Sequence, residues 1–155
     1  MEGRGSGRTR AAGSGNTGGS GPGRTLAGPV RRLARGEALT IGVRRQRGYA
    51  IVTVAGDIDI ATVTRLRERL FQLAASGRPL VVDLDQVSFI DSAGLGGLVG
   101  AAKRAAAHGG SLRVVCAQPK TRKLFRLTGL DRQMPPARTL DQALKALAAA
   151  RATPG

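Results

Sequence analysis

The segment Phe89-Ile90-Asp91-Ser92-Ala93-Gly94-Leu95-Gly96 is where side chains with chemical potential are most closely spaced. It closes an apolar run and opens a stretch of small residues and leucines at helical spacing, so it reads as a strand-to-helix junction. In open α/β sheets such junctions collect functional sites. A nucleophilic serine would need a base within reach and a strained G-x-S-x-G turn. Ile90 stands where the first glycine would be. The one imidazole, His108, lies sixteen residues further on, about 24 Å along a single helix at 1.5 Å per residue. A Ser-His pair within one chain is therefore excluded. Glycines 94, 96, 97 and 100 fail the G-x-G-x-x-G pattern because Val99 holds its last position. The chain has no G-x-x-x-x-G-K-[ST] either. Gly13-Ser14-Gly15-Asn16-Thr17-Gly18 spells the first pattern literally, but no strand precedes it and no helical period follows.

Two readings of Ser92 stay open. It could cap the helix, a position that serine and aspartate both favour, with Asp91 as the other candidate. It could instead accept a phosphoryl group, which would add roughly −1.5 to −2 charges beside Asp91 and near Asp59, partly offset by the helix amino terminus. That is a large local change of charge with little change of fold, the requirement for a switch on a binding face. Asp57 and Asp59 follow a strand and could join Asp91 in an acidic cluster. With no other metal ligands nearby they are expected on a surface turn.

The surrounding pattern predicts the elements that hold this junction. Leu39 to Val43 and Tyr49 to Val54 alternate with period two around Gly48 and predict a hairpin. Ile60, Val63, Leu66, Leu70 and Leu73 form one stripe of a helix from about residue 60 to residue 75, stopped by Ser76-Gly77-Arg78-Pro79. Leu80 to Leu84 is a short continuous apolar run, as expected of a central strand. A helix is expected over 92–108 with Leu95, Leu98, Val99 and Ala102 inward, stopped by Gly109-Gly110. A strand over 112–116 and a helix over 119–127 follow, the latter with Leu124 and Leu127 inward and Gly129 as its stop. Gln133 and Met134 are expected as a short edge strand. Thr139 and Gln142 fit a capping box ahead of a last helix carrying Leu140, Ala143, Leu144 and Leu147. The order β-β-α-β-α-β-α-β-α predicts an α/β fold, an open mixed β-sheet with helices packed on it.

With 155 residues the chain has room for one ordinary domain and an appendage. Residues 1–38 hold eleven of the 23 glycines, seven arginines and two glutamates. They cannot bury enough apolar surface to offset ordering and are expected as a disordered arm. The domain is expected over 39–150 and a flexible tail over 151–155. Trp is absent, and three Phe and one Tyr leave an aliphatic core and no aromatic platform for stacking bases. The lone Cys116 cannot form an internal disulfide, and with a single histidine a structural zinc site is out. No apolar run reaches the roughly 18–20 residues of a bilayer span, and no signal-peptide core is seen at the amino terminus, so a soluble, cytoplasmic protein is expected. The net charge is +15, of which residues 39–155 carry +10. The longest basic clusters, Arg44-Arg45-Gln46-Arg47 and Lys120-Thr121-Arg122-Lys123, are short and fall on different predicted elements, a weak footprint for nucleic acid.

Two segments carry a family resemblance. Gly56-Asp57-Ile58-Asp59 resembles a G-E-L-D segment, and Val82 to Gly96 resembles D-L-x-x-V-x-F-x-D-S-[SA]-G-L-G, both of bacterial anti-sigma factor antagonists, the stand-alone sulfate transporter and anti-sigma factor antagonist (STAS) domains. Gly109-Gly110-Ser111-Leu112 and Arg122 to Leu130 match later landmarks, so the resemblance covers about residues 39–150. Asp57 replaces the usual Glu, and Ala93 replaces a second serine, leaving one hydroxyl in the motif.

The resemblance implies a protein that is not an enzyme and needs no cofactor or metal. Ser92 corresponds to the serine phosphorylated by a partner anti-sigma factor that is also a serine kinase, and a serine phosphatase reverses the modification. Partner binding is implied for Asp57, Asp59, Asp91, Ser92, Ala93, Gly94, Leu95 and Gly96. Neither a membrane nor a specific nucleic acid is implied as a partner. The competing readings are a scaffold or small-ligand-binding STAS module without phosphorylation, and a non-specific nucleic-acid-binding protein.

Overall fold

The computed structural model describes residues 39–152. The expected arm over 1–38 and the last three residues of the expected tail lie outside them. A four-stranded sheet has the order β1 (Thr40–Gln46), β2 (Tyr49–Ile58), β3 (Leu80–Ile90), β4 (Leu112–Val115). β1 and β2 form the antiparallel hairpin, and β2, β3 and β4 run parallel. The expected open mixed sheet is thus the observed one.

Helix α1 (Val63–Ala74) connects β2 to β3, and α2 (Ser92–Ala107) connects β3 to β4. Both lie on one face of the sheet, where Leu66, Leu70, Leu98, Ala101 and Ala105 share a core with Val52, Val54, Val82, Leu84 and Val114. Each fully buried leucine there contributes roughly 1.5–3 kcal/mol relative to exposure. The opposite face carries Tyr49, Ile51, Val81 and Val115. It is covered by Ala143, Leu144 and Leu147 of the last helix (Leu140–Ala152), which continues two residues past the expected boundary at 150. With helices on both faces, β2 and the first half of β3 have almost no solvent-facing side, which explains their near-continuous apolar runs.

β3 is much longer than the run that announced it. Beyond Leu84 it continues to Ile90 through two register shifts, one between the Thr53–Asp83 and Ala55–Gln86 pairs and one between Gly56–Val87 and Asp57–Phe89. Each places an extra residue in β3, a bulge that bends a strand and frees backbone groups. Gln118, just ahead of α3 (Pro119–Leu127), supplies the missing donor: its side-chain amide donates to Asp85 O at 2.6 Å and Val87 O at 3.2 Å. The Ala117 amide donates to Asp85 Oδ1 at 2.7 Å. These bonds tie the bulged end of β3 to the start of α3 and fix where the strand delivers Ile90.

Three expectations are corrected. Gln133 and Met134 form no strand. Leu130–Gln133 is a single turn, α4, entered from Gly129 at φ 78°, and Met134 turns inward beside Leu130 to complete the core. The edge pairing falls after the two prolines, where Ala137 bridges Val115: Cys116 N donates to Ala137 O and Ala137 N to Val114 O, each at 2.8 Å. Ile60 lies ahead of α1, 77% exposed, and Leu127 is 72% exposed at the end of α3; both were expected inward. The last helix, α5, starts with half of the expected box: Gln142 N donates to Thr139 Oγ1 at 3.1 Å, while Gln142 Oε1 accepts from Arg138 N, one residue before the cap.

Candidate functional site

β2 and β3 end side by side. Ile58 pairs with Ile90, and the Asp91 amide donates to Ile58 O at 3.2 Å, so Asp59 and Asp91 emerge next to each other at the carboxyl edge of the sheet. Each carboxylate then organises the helix behind it. Asp59 Oδ1 accepts from Ala61 N at 2.9 Å and Thr62 N at 3.1 Å. Thr62 Oγ1 accepts from Asp59 N and donates to Asp57 O at 2.8 Å. This closed turn starts α1 at Val63 and throws Ile60 into solvent, which is why the helical stripe does not extend back to it. Asp91 is the N-cap of α2: its Oδ1 accepts from Gly94 N at 3.0 Å, and its carbonyl accepts from Leu95 N at 3.0 Å.

Asp91 therefore takes the capping role that had been open between two residues. Ser92 is the first residue of the helix, exposed, and among the described residues nothing hydrogen-bonds its hydroxyl. Its backbone belongs to the positive end of a sixteen-residue helix, where added negative charge is tolerated best. Asp57 departs from expectation. It lies within β2 and is 4% exposed, so it belongs to the interior beneath the turn, with no place on the surface. Among the described residues no three His, Cys, Asp or Glu side chains are placed to hold a metal ion.

The small residues after Ser92 have separate duties. A Cβ on Gly94 would come within 2.7 Å of Ile90 Cγ1 and 2.8 Å of both Ile58 Cγ2 and Ile58 O, so this glycine lets α2 begin directly against the two strand ends. A Cβ on Gly97 would lie 2.6 Å from Val63 Cγ2, which brings α2 close to α1. Leu95 is buried as an anchor, and Ala93 is half-buried. Gly96 is exposed with open space where a side chain would stand. The outcome is a low-relief surface at the first turn of α2: Ser92 and Gly96 outward, exposed Ile60 on the neighbouring turn. Beside it, a groove of about 230 Å³ runs between β3 and α3, with Ser88, Phe89 and Ile90 on one wall and Lys120, Thr121 and Leu124 on the other. Ile60 and this groove were missed in the sequence. Their signal was only an apolar residue directly after a turn-forming aspartate, and an apolar helix position next to lysines.

The STAS domain family model matches residues 40–143. This chain is a STAS domain protein. It is 37% identical over 92 residues to the anti-sigma-B factor antagonist of Bacillus subtilis, covering 59% of this chain and 84% of that one. To the anti-sigma-B factor antagonist of Staphylococcus aureus it is 34% identical over 93 residues, covering 59% and 86%. Among solved structures, an anti-sigma factor antagonist from Mycobacterium paratuberculosis superposes with TM-score 0.68 at 34% identity, over 75% of this chain and 99% of that one. The unphosphorylated form of SpoIIAA superposes with TM-score 0.59 at 20% identity, a likeness of fold alone. In this STAS domain, as among the described residues generally, no helix is long and apolar enough to cross a membrane.

Proposed function

We propose that this STAS protein is an anti-sigma factor antagonist controlled by phosphorylation of Ser92. Unphosphorylated, it binds an anti-sigma factor with serine kinase activity and so frees a sigma factor for transcription. Phosphorylated, it lets go, and a serine phosphatase resets it. It acts in the cytoplasm by binding and catalyses nothing itself; the kinase brings its own ATP and Mg²⁺. The observation that carries this reading is the division of labour at the start of α2, where Asp91 holds the helix and the Ser92 hydroxyl is exposed and, among the described residues, unengaged. Named relatives among the anti-sigma factor antagonists support it. The contact face runs from Ser92 and Gly96 to Ile60 and the groove beside α3. A phosphoryl group would put roughly −1.5 to −2 charges at its centre, next to the Asp91 and Asp59 carboxylates.

The test is incubation of the full chain with ATP and a cognate kinase, followed by peptide mass spectrometry and a binding titration. One added phosphoryl mass on the peptide bearing Ser92 is expected, with loss of kinase binding. Ser92→Ala should bind constitutively, and Ser92→Glu should bind more weakly, though less so than the phosphoprotein because one charge replaces nearly two. Phosphorylation at another residue, or wild-type binding by Ser92→Glu, would overturn the switch.

A further inference from the structure

At the end of the sheet opposite Ser92, the β1–β2 turn, the α1–β3 loop, the α2–β4 loop and α5 near Ala150 enclose a groove of about 740 Å³. Among the described residues its wall contains Arg47 and Arg78 and no carboxylate. Both arginines are exposed, and among the described residues neither guanidinium makes a hydrogen bond or an ion pair. Ser111 adds a hydroxyl that is likewise unengaged. The loops behind these groups are locked together: Gly77 sits at φ 75°, and a Cβ there would lie 2.7 Å from His108 O.

Arg47 is held against its backbone preference. Its φ is 56°, the one positive value among the described non-glycine residues, and Gly48 follows at 84°. Two left-handed residues in succession make the hairpin turn whose twist matches the strands, and its first position favours Asn, Asp or Gly. A long side chain gains nothing from that conformation, since its Cβ crowds the backbone. When a residue persists in a disfavoured conformation, its side chain is the place to look for a reason.

We propose that this groove binds a compact anion carrying several phosphoryl groups, with Arg47 and Arg78 as its recognition residues. A guanidinium presents a planar fork of donors that matches two phosphoryl oxygens at once. Arg47 and Arg78 bring two such forks from separate loops. Ser111 donates a further hydrogen bond. Concavity favours a compact ligand, because an extended nucleic acid needs a continuous basic stripe. β3 is eleven residues long, about 36 Å at 3.3 Å per residue, so the groove and the Ser92 face are far apart and the site does not depend on the switch.

The test uses inorganic tripolyphosphate as probe, titrated calorimetrically into the full chain at physiological salt, with orthophosphate and a short DNA duplex as parallel arms. Saturation at one tripolyphosphate per chain is expected, with much weaker binding of orthophosphate. Arg47→Asn and Arg78→Gln should each weaken binding about tenfold or more. Arg65→Gln, the same loss of charge on the exposed face of α1, should change it less than about twofold. Asparagine suits the turn better than arginine, so Arg47→Asn should keep a thermal midpoint at or above the parent's, which separates lost recognition from misfolding. The proposal is overturned if binding does not saturate, if Arg65→Gln weakens it as much as the groove variants, or if the duplex displaces tripolyphosphate at equal phosphate concentration.

Discussion

Replacing Asp91 and Ser92 separately by alanine distinguishes the residue that holds α2 from the residue that is free to be modified. Asp91→Ala removes the acceptor 3.0 Å from Gly94 N, and loss of such a cap costs about 1 kcal/mol. It also removes a negative charge from the helix amino terminus, another 0.3–1 kcal/mol at low salt by the usual range, so the sum is about 1–2 kcal/mol. A domain on the order of 110 residues unfolds with an entropy near 0.23 kcal/mol/K, so the thermal midpoint should fall by about 4–9 °C. Asp91→Asn keeps an acceptor and loses only the charge, and its smaller deficit should shrink as salt is added. Ser92→Ala removes a hydroxyl that no described residue bonds, and it should stay within about 0.5 kcal/mol of wild type, or about 2 °C. Thermal melts followed by circular dichroism at pH 7, in low and high salt, read all three. If Ser92→Ala fell as far as Asp91→Ala, or if Asp91→Ala did not fall, the assigned division of labour would be wrong.

Gly94→Ala forces a Cβ against Ile90, Ile58 and a backbone oxygen and should cost about 1–3 kcal/mol by urea unfolding. Gly96→Ala meets open space on an exposed helix position and should gain up to about 1 kcal/mol. Burial is the main influence raising the Asp83 carboxyl above its ordinary 3.8, with the Asp85 charge adding to it; the Asp85 amide and Arg44 act the other way. The folded chain therefore holds this proton more tightly than the unfolded chain, and the penalty appears as pH rises above 3.8 and grows until the folded carboxyl has itself ionised. Asp83→Asn should be more stable than wild type at pH 7, with the advantage vanishing below that value; an advantage unchanged down to pH 3 would refute this cause. The Cys116 thiol is fully buried, and that burial pushes its pKa up. It should react with a thiol reagent only on unfolding, and rapid labelling of the native chain would contradict its placement.

The sequence revealed the hairpin, the two crossover helices and the Ser92 junction because each had a clean local signal: period-two alternation around Gly48, a leucine stripe, a helix start at a strand end. Where it misled, the deciding interaction was distant or local geometry overrode the period. Asp85 and Gln86 looked like the end of a strand, yet β3 continues because Gln118, more than thirty residues away, satisfies its bulged carbonyls. Met134 resembled an edge strand, but it lies four residues after Leu130, and that helical spacing turns both into the core. Ile60 fits the spacing of α1, but the Asp59 turn places it before the first helical residue. Asp57 was read as a surface carboxylate because nothing nearby showed that α2 would start against the strand ends beside it. Which of Asp91 and Ser92 caps α2 was undecidable from composition, since either oxygen could reach the same amides; only their positions separate them.

Among the described residues β1 has a neighbour on one side only, since the sheet order places it at the rim. Its outer row of amides and carbonyls could template a strand of another molecule, the usual route from a soluble domain to a fibre or a swapped dimer. Arg44 and Arg45 stand near the end of this strand and Arg47 at its turn. Two copies approaching rim to rim in the parallel sense would set these cations side by side, and like charge there opposes the pairing. Part of the chain's surplus of positive charge thus acts as a colloidal guard on this sheet margin, a guard that weakens as salt shortens the reach of each charge.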